Sequence, residues 1–343
     1  MTRIKAQTAD ALLAETLVNY LQRYFVTALN QLSSAIGDNK EFEKIEWFRN
    51  GGKFGGGVRY VATDDLLFNR ASVNISQVQY ENDTSKNLSS ATALSTIIHP
   101  KNPFAPSLHM HVSWTQMKDG KGYWRMMADL NPSIINEDDK QTFAKVLKES
   151  SSTYFEEASA QGDKYFNIPV LNRHRGVSHF YLENFKTDDK QADLQMAKTL
   201  VQSVVDVYVN IIKEQIIKHE SVSNEARKEQ LAYHTLYLFQ VLTLDRGTTS
   251  GLLVHNENDV GILGSIPSHV NRALLLSWKE KMPKGQEELL QSLVECLDES
   301  GAVNEKEKSA LAQAVRSFYQ KNPQALKMQA SGNVAVPTVQ NHK

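Results

Sequence analysis

Residues 95–132, STIIHPKNPFAPSLHMHVSWTQMKDGKGYWRMMADLNP, leave the chain few ways to fold. Two short β-rich runs, residues 109–115 and 123–130, flank the turn signal Met117-Lys118-Asp119-Gly120-Lys121. They predict a hairpin, which sets the strand of His109 and His111 antiparallel to the strand of Asp129. Alternate strand residues share a face, so His109, His111 and Ser113 line one surface. Two imidazoles pointing the same way are costly to bury without partners. The pattern suits proton transfer or metal ligation better than it suits a core. His99 closes an apolar run before a proline-rich loop, where a structural role is the plainer reading.

The remaining elements follow from period. Leu13, Leu17, Leu21, Phe25, Leu29 and Leu32 recur at three- and four-residue steps, an amphipathic helix over Ala9–Ile36. Residues 58–61 and 71–78 read as strands, as do residues 176–182 and 237–242. Helices are expected over residues 137–158, 190–220, 268–279, 286–297 and 305–319. No internal repeat or interdomain linker is present. The expected fold is α+β: a single domain over residues 1–328, a large flat antiparallel sheet flanked by helices on both faces, with a disordered tail over residues 329–343.

Composition excludes several functions. Lys plus Arg number 38 against 39 for Asp plus Glu, without the basic excess that nucleic acid or an anionic membrane surface requires. Cys296 is the single cysteine, so an internal disulfide framework and a cysteine-based zinc site are both ruled out. Its solitude fits a cytoplasmic protein. No apolar run reaches the about 18 residues of a membrane span. The first residues lack an apolar stretch ahead of a small-residue cleavage site, so no secretory signal is expected.

Three further motifs carry alternatives. Residues 51–57, GGKFGGG, resemble a phosphate loop, but no Lys-Ser/Thr pair follows and a strand, not a helix, comes next. A flexible loop leading into that strand is the plainer reading, and a hinged lid the functional one. Asp245-Arg246 at the end of the 237–242 run is either a structural ion pair or a substrate contact, with Arg246 suited to clamp a carboxylate. Arg173-His174-Arg175 is a solvated turn, or an anion-binding rim if it faces the cleft of His109. His179 and Glu183 lie beyond it at even spacing.

Taken in order, these segments resemble the oxygen-dependent coproporphyrinogen III oxidases, from about residue 55 to residue 279. Residues 68–76 are similar to that family's F-E-x-A-G-V-N-x-S, and Ile98-His99-Pro100-Lys101-Asn102-Pro103 with Pro106 and His109 to its V-H-P-x-N-P-x-x-P-x-x-H. Asp129-Leu130-Asn131-Pro132 resembles D-L-T-P, Arg175-Gly176-Val177 resembles R-G-I, and Asp245-Arg246-Gly247-Thr248 with Gly251-Leu252 resembles D-R-G-T-x-x-G-L. The resemblance implies a homodimer with a deep cleft. It implies oxidative decarboxylation of two propionates to vinyl groups, with molecular oxygen as co-substrate and no haem or flavin. Carried over, His109 is the acid/base histidine, Asp129 holds a pyrrole N–H, Ser95 contacts substrate, and His99 matches a once-proposed metal ligand.

The chain also departs from that pattern. His111 and Ser113 stand where the family has Asn and Arg, and Arg125-Met126-Met127-Ala128 replaces G-G-G-F. Later metal-histidine positions fall on Ala144 and Val170, and a substrate-holding Arg falls on Asn258. The hairpin places Arg125 beside Ser113, so Arg125 is expected to supply a missing carboxylate partner. Bulky Met in place of glycine is expected to fill space beside a flat ligand. Three functions remain open. The first is a coproporphyrinogen oxidase using His109, Asp129, Ser95, Arg175, Asp245 and Arg246. The second is a diverged oxygen-using paralogue in which His109, His111 and a further residue such as His179, Asp129 or Glu183, with His99 as another candidate ligand, hold a divalent metal such as iron. The third is a porphyrin-binding protein without chemistry. In each the partner is a small molecule, a porphyrinogen or another carboxylated compound.

Overall fold

The structure is a computed structural model and describes residues 2–255, 257–334 and 338–342. The strands are β1 (Glu43–Phe48), β2 (Gly55–Val61), β3 (Phe68–Gln79), β4 (Leu88–Pro100), β5 (Ser107–Met117), β6 (Gly122–Asn131), the short ribbon of β7 (Asn167–Ile168) and β8 (Arg173–His174), and β9 (Ser178–Phe185). Among the described residues, seven of them form one sheet in the order β1-β2-β3-β4-β5-β6-β9, antiparallel throughout. The expected hairpin joins β5 to β6. Met117 N–H donates to the Lys121 carbonyl at 2.7 Å, and Gly120 supplies the left-handed residue with φ 84°.

The helices are α1 (Ala9–Ile36), α2 (Glu137–Ser151), α3 (Phe155–Phe166), α4 (Lys190–Lys218), α5 (Asn224–Thr243), α6 (Arg246–Val254), α7 (Asp259–Ile262), α8 (Arg272–Ser277), α9 (Glu287–Glu295), α10 (Glu305–Lys321) and α11 (Thr338–Asn341). Alternation decides what each sheet face meets. Leu94 and Ile98 of β4, Leu108, Met110 and Val112 of β5 and Met126 of β6 pack with Leu21, Phe25 and Leu29 of α1 and with Val201, Val204 and Tyr208 of α4. Each such fully buried Leu or Phe contributes about 1.5–3 kcal/mol. The opposite face carries Ser95, His109, His111 and Ser113, which offer helices little to bury against. There α3 covers one end of the sheet and α5 the middle, and the rest stays open as a cleft.

Three expectations are corrected. Residues 237–242 are not a strand but the last turns of α5. Every side chain over residues 233–243 is buried, so no polar face marks the 3.6-residue period and the short apolar run mimics a strand. The helix expected over residues 137–158 breaks at Ser152, which has φ 51°. Just before it, the Ser150 and Ser151 hydroxyls donate back to the Val146 and Leu147 carbonyls at 2.7 and 2.6 Å, competing with the helical ladder. The glycine run divides: Gly51 and Gly52 belong to a short turn that leads into β2, whereas Gly55, Gly56 and Gly57 are ladder residues of β2, paired with β3, and the last two also with β1. Two strands of the main sheet were not expected, β1 and β4, the latter rich in Ser, Thr and Ala, and neither was the short ribbon of β7 and β8. Of the tail, residues 335–337 and 343 lie outside the described residues. Upstream of them Gln329 donates to Thr249 at 2.5 Å and Ala330 N–H to the Leu244 carbonyl at 2.9 Å.

The seating of α3 on β9 depends on Gly162. A Cβ there would stand 2.6 Å from the His179 Cβ and 3.1 Å from the His179 carbonyl carbon, so helix and strand would have to part. Gly162→Ala is expected to lower stability by about 1–3 kcal/mol in urea denaturation. An unchanged midpoint would contradict this packing.

Candidate active site

Three cross-strand rows build the cleft floor. The first runs Ser72, Ile97, His109, Asp129 and His179 from β3 to β9. The second runs Arg59, Asn74, Ser95, His111, Met127 and Tyr181 from β2 to β9. The third runs Trp47, Gly57, Ser76, Ala93, Ser113 and Arg125 from β1 to β6. Residues directly opposite in an antiparallel pair lie side by side, so register alone brings His109 to Asp129 and His111 to Ser95. The cavity over these rows holds about 320 Å³ and is roofed by Tyr237 of α5, Asp245, residues of α6 and Asn258 to Ser265.

At one end, His109 sits over a buried ion pair. Arg175 is fully buried and donates to Asp129 Oδ2 at 2.9 Å and to Gln240 Oε1 at 2.6 Å. Its guanidinium stacks 4.7 Å over the Phe166 ring and 5.2 Å over the Tyr237 ring. Asn131 Nδ2 donates to Asp129 Oδ2 at 2.6 Å. Burial pushes the Asp129 carboxyl up, but Arg175, His109 and the Asn131 amide outweigh it and hold it at about 2. His109 Nδ1 lies 2.7 Å from Arg175 Nη2 and 3.1 Å from Asp129 Oδ1. One nitrogen cannot accept from the first and donate to the second at once. The ring therefore has two neutral arrangements, one facing the cation and one the anion. Nε2 takes no hydrogen bond from the described residues.

In the middle, His111 bridges two hydroxyls, Ser95 Oγ at 2.7 Å from Nδ1 and Ser113 Oγ at 2.9 Å from Nε2. Burial first, then the charges of Arg125 and His109, push its pKa well below the usual imidazole range, so it is a neutral polar group. At the far end, Arg125 lies over the stacked rings of Tyr165 and Tyr181 at 5.7 and 5.3 Å. It donates to Tyr165 Oη at 3.2 Å, and Tyr165 donates to Asp245 Oδ2 at 2.8 Å. Burial works against the Arg125 charge, but Tyr181, Tyr165, Glu183 and Asp245 outweigh it and raise its pKa. Its Nε is buried with no partner among the described residues. Burial likewise pushes Asp245 up, and His109 and Arg125 bring its carboxyl below the ordinary range.

The sequence-derived set thus divides. Ser95, His109, His111, Ser113, Arg125 and Asp245 line the cavity, and Asp129 lies directly beneath it. Arg175 is no rim residue: Arg173 and His174 are exposed, whereas Arg175 turns inward under His109. Arg246 is buried against Glu183, 3.3 Å from Nη1 to Oε2, and Glu183 lines the cleft. Asp245 is not at a strand end. It caps α6, accepting from Thr248 N–H at 2.7 Å. The four histidines do not assemble a metal set, and no group of three His, Cys, Asp or Glu ligands converges among the described residues. His99 is enclosed by α5, 4.6 Å from the Tyr237 ring and bonded to Ser107 Oγ at 2.8 Å. His179 has both nitrogens engaged, by Asp163 at 2.6 Å and the Arg175 carbonyl at 2.8 Å.

Of the four residues in the place of G-G-G-F, only Arg125 and Met127 face the cleft. Met126 and Ala128 alternate into the opposite core. Sequence reasoning missed Asn74, Tyr165, Tyr181 and Gln240. Asn74 and Tyr181 were detectable by alternation, lying on the same sheet face as Ser76 and Glu183. Tyr165 and Gln240 carry no local signal, since each reaches the site from a helix.

The sequence model of the family described as coproporphyrinogen III oxidase matches residues 14–298. An oxygen-dependent coproporphyrinogen-III oxidase of Drosophila melanogaster is 27% identical over 79% of this chain and 74% of its own length. One from Rickettsia akari is 26% identical over 67% of this chain and 91% of its own. The mitochondrial enzyme of Rattus norvegicus is 28% identical over 66% of this chain, and the match spans only 56% of that protein.

Proposed function

The chain belongs to the coproporphyrinogen III oxidase family, and from that membership and the cleft we propose that it decarboxylates propionate arms of a coproporphyrinogen-type macrocycle to vinyl groups with molecular oxygen. The observation that carries this reading is His109 set between Arg175 and Asp129 at the cleft floor. Each arm loses carbon dioxide and one hydrogen from its ring-attached methylene. The two electrons released per arm go to oxygen, so two arms reduce one oxygen molecule to two waters.

In this reading His109 moves the proton. With Nδ1–H turned to Asp129, Nε2 is bare and takes a pyrrole N–H proton. The resulting imidazolium keeps its Nδ1–H toward a carboxylate that stays ionised. Turned the other way, Nδ1 accepts from Arg175 and the proton sits on Nε2, ready to be returned. Ser95, His111 and Ser113 offer uncharged hydrogen bonds along the macrocycle edge. Arg125 supplies the carboxylate partner, with its unpartnered Nε–H as donor. Arg175 is a positioning residue and Arg246 holds Glu183 at the cleft wall. A homodimeric enzyme of the cytoplasm completes the proposal, resting on the family resemblance and the single cysteine. Among the described residues no helix is long and apolar enough to cross a membrane.

The test is turnover of coproporphyrinogen by purified protein in air, following vinyl products and oxygen uptake together. One oxygen consumed for each two arms lost is expected. No product at enzyme concentrations equal to substrate would remove the proposal. One observation favours a second reading, a smaller carboxylated substrate: Arg125 and Met127 leave a cavity of about 320 Å³, at the low end of ligand sites. Oxygen uptake with mono- and dipyrrole carboxylates but not with coproporphyrinogen would select it.

A further inference from the structure

Behind α7, two arginines of the sheet and one lysine of α10 have no carboxylate partner among the described residues. Arg59 continues the row of Asn74, Ser95 and His111 by one strand, and it is 9% exposed. A Cβ on Gly261 would collide with both its guanidinium and the Asn258 amide, so Arg59 reaches the back of the segment that roofs the cleft. Arg70 of β3 projects from the same sheet face and donates from Nη2 to the Val303 carbonyl at 3.4 Å. Lys308, 6% exposed, lies on the first turns of α10, which starts directly after Val303 and its cap Asn304.

Arg59 Nη1 and Arg70 Nε are buried without a hydrogen-bond partner, and none of the three side chains forms an ion pair among the described residues. The acids nearby are otherwise engaged. Asp259 is bound by Arg316, Glu307 closes the cap of α10, and Glu305 acts on Lys308 only at a distance. Burying an unpaired cation such as Arg59 or Lys308 costs several kcal/mol, and the charge of half-buried Arg70 nearby adds to it. Burial, then the charges of Arg70 and Arg59, bring the Lys308 ammonium down to about 8.

We propose that Arg59, Arg70 and Lys308 form a second binding site, for a compact oxyanion, a phosphate or a carboxylate group. The fork of an arginine and the point charge of a lysine suit such a group. The proposal does not depend on the reaction assigned to the cleft.

The test uses the full chain with inorganic phosphate and, separately, succinate, read by calorimetry and by amine labelling of Lys308. Saturable binding that protects Lys308 from labelling is expected. Lys308→Met is expected to fold at least as well as the parent, since it removes an unbalanced buried charge, and to weaken the anion by about ten- to a hundred-fold. Arg59→Gln is expected to do the same. Absence of binding by the parent, or equal binding by both variants, overturns the site. Titration with coproporphyrin then separates two sources, both of which support it. Competition with phosphate marks the anion as an arm of the cleft ligand, and independent binding marks it as a separate anion.

Discussion

Replacing His109 with alanine is expected to lower kcat for coproporphyrinogen by about a hundred- to ten-thousand-fold, the range lost with a positioned general acid–base group. KM is expected to change far less, because the uncharged contacts of Ser95, His111 and Ser113 and the charge of Arg125 remain. The variant should fold: His109 is only partly buried and the Arg175–Asp129 pair beneath it stays closed. Asp129→Asn separates charge from shape. It keeps the volume and the place of the Asn131 contact but leaves no anion for the His109 Nδ1–H, so the arrangement facing Arg175 prevails. Its kcat should fall as well, with KM changed far less. Activity of His109→Ala within about three-fold of the parent would exclude His109 as the proton carrier.

Arg175→Met is expected to destabilise the protein by about 3–5 kcal/mol at neutral pH, because it leaves Asp129 buried as an uncompensated anion. The geometry makes the loss large: Arg175 also holds Gln240 of α5 and lies between Phe166 of α3 and Tyr237 of α5. The double variant Arg175→Met with Asp129→Asn should recover part of the loss, since the charge is gone, but not the packing. Acid provides an independent check. The folded pKa of Asp129, about 2, lies below its unfolded value of 3.8, so the pair contributes stability above that unfolded value. The contribution, about 2 kcal/mol, is lost as pH falls through the folded pKa. The gap between parent and Arg175→Met, measured by urea denaturation, should therefore narrow from neutral pH toward acid. A gap that stays constant with pH would assign the loss to packing alone.

Both predictions rest on residues whose legibility differed. His109 and Asp129 could be paired from the chain alone, because a hairpin of known turn converts sequence spacing into cross-strand register. Ser95, on a strand that was not expected, came from the family resemblance, whereas the same logic placed His111, Ser113 and Arg125 on the cleft. It failed for Arg175, which adjoins two exposed basic residues and shares their composition, yet turns inward as Gly176 redirects the chain. It failed for residues 237–242 because burial on every side erases the pattern that distinguishes helix from strand. It also left His99 and His179 as candidate ligands beside His109. Only the structure shows that α5 and α3 cover them, that Ser107 holds one nitrogen of His99, and that both nitrogens of His179 are engaged.

Alternation and turn chemistry are local, with a fixed period, so the α+β class, the hairpin and the polar face of β5 and β6 were written in the chain. Which helix lies over which row is not local. The gathering of Arg175, Gln240, Tyr165 and Asp245 around two strands depends on how α3, α5 and α6 pack across sequence separations of tens of residues. The cluster proposed for Arg59, Arg70 and Lys308 joins residues from distant parts of the chain and has no period at all. Tertiary packing alone decided these, because burial is what makes a charge need a partner.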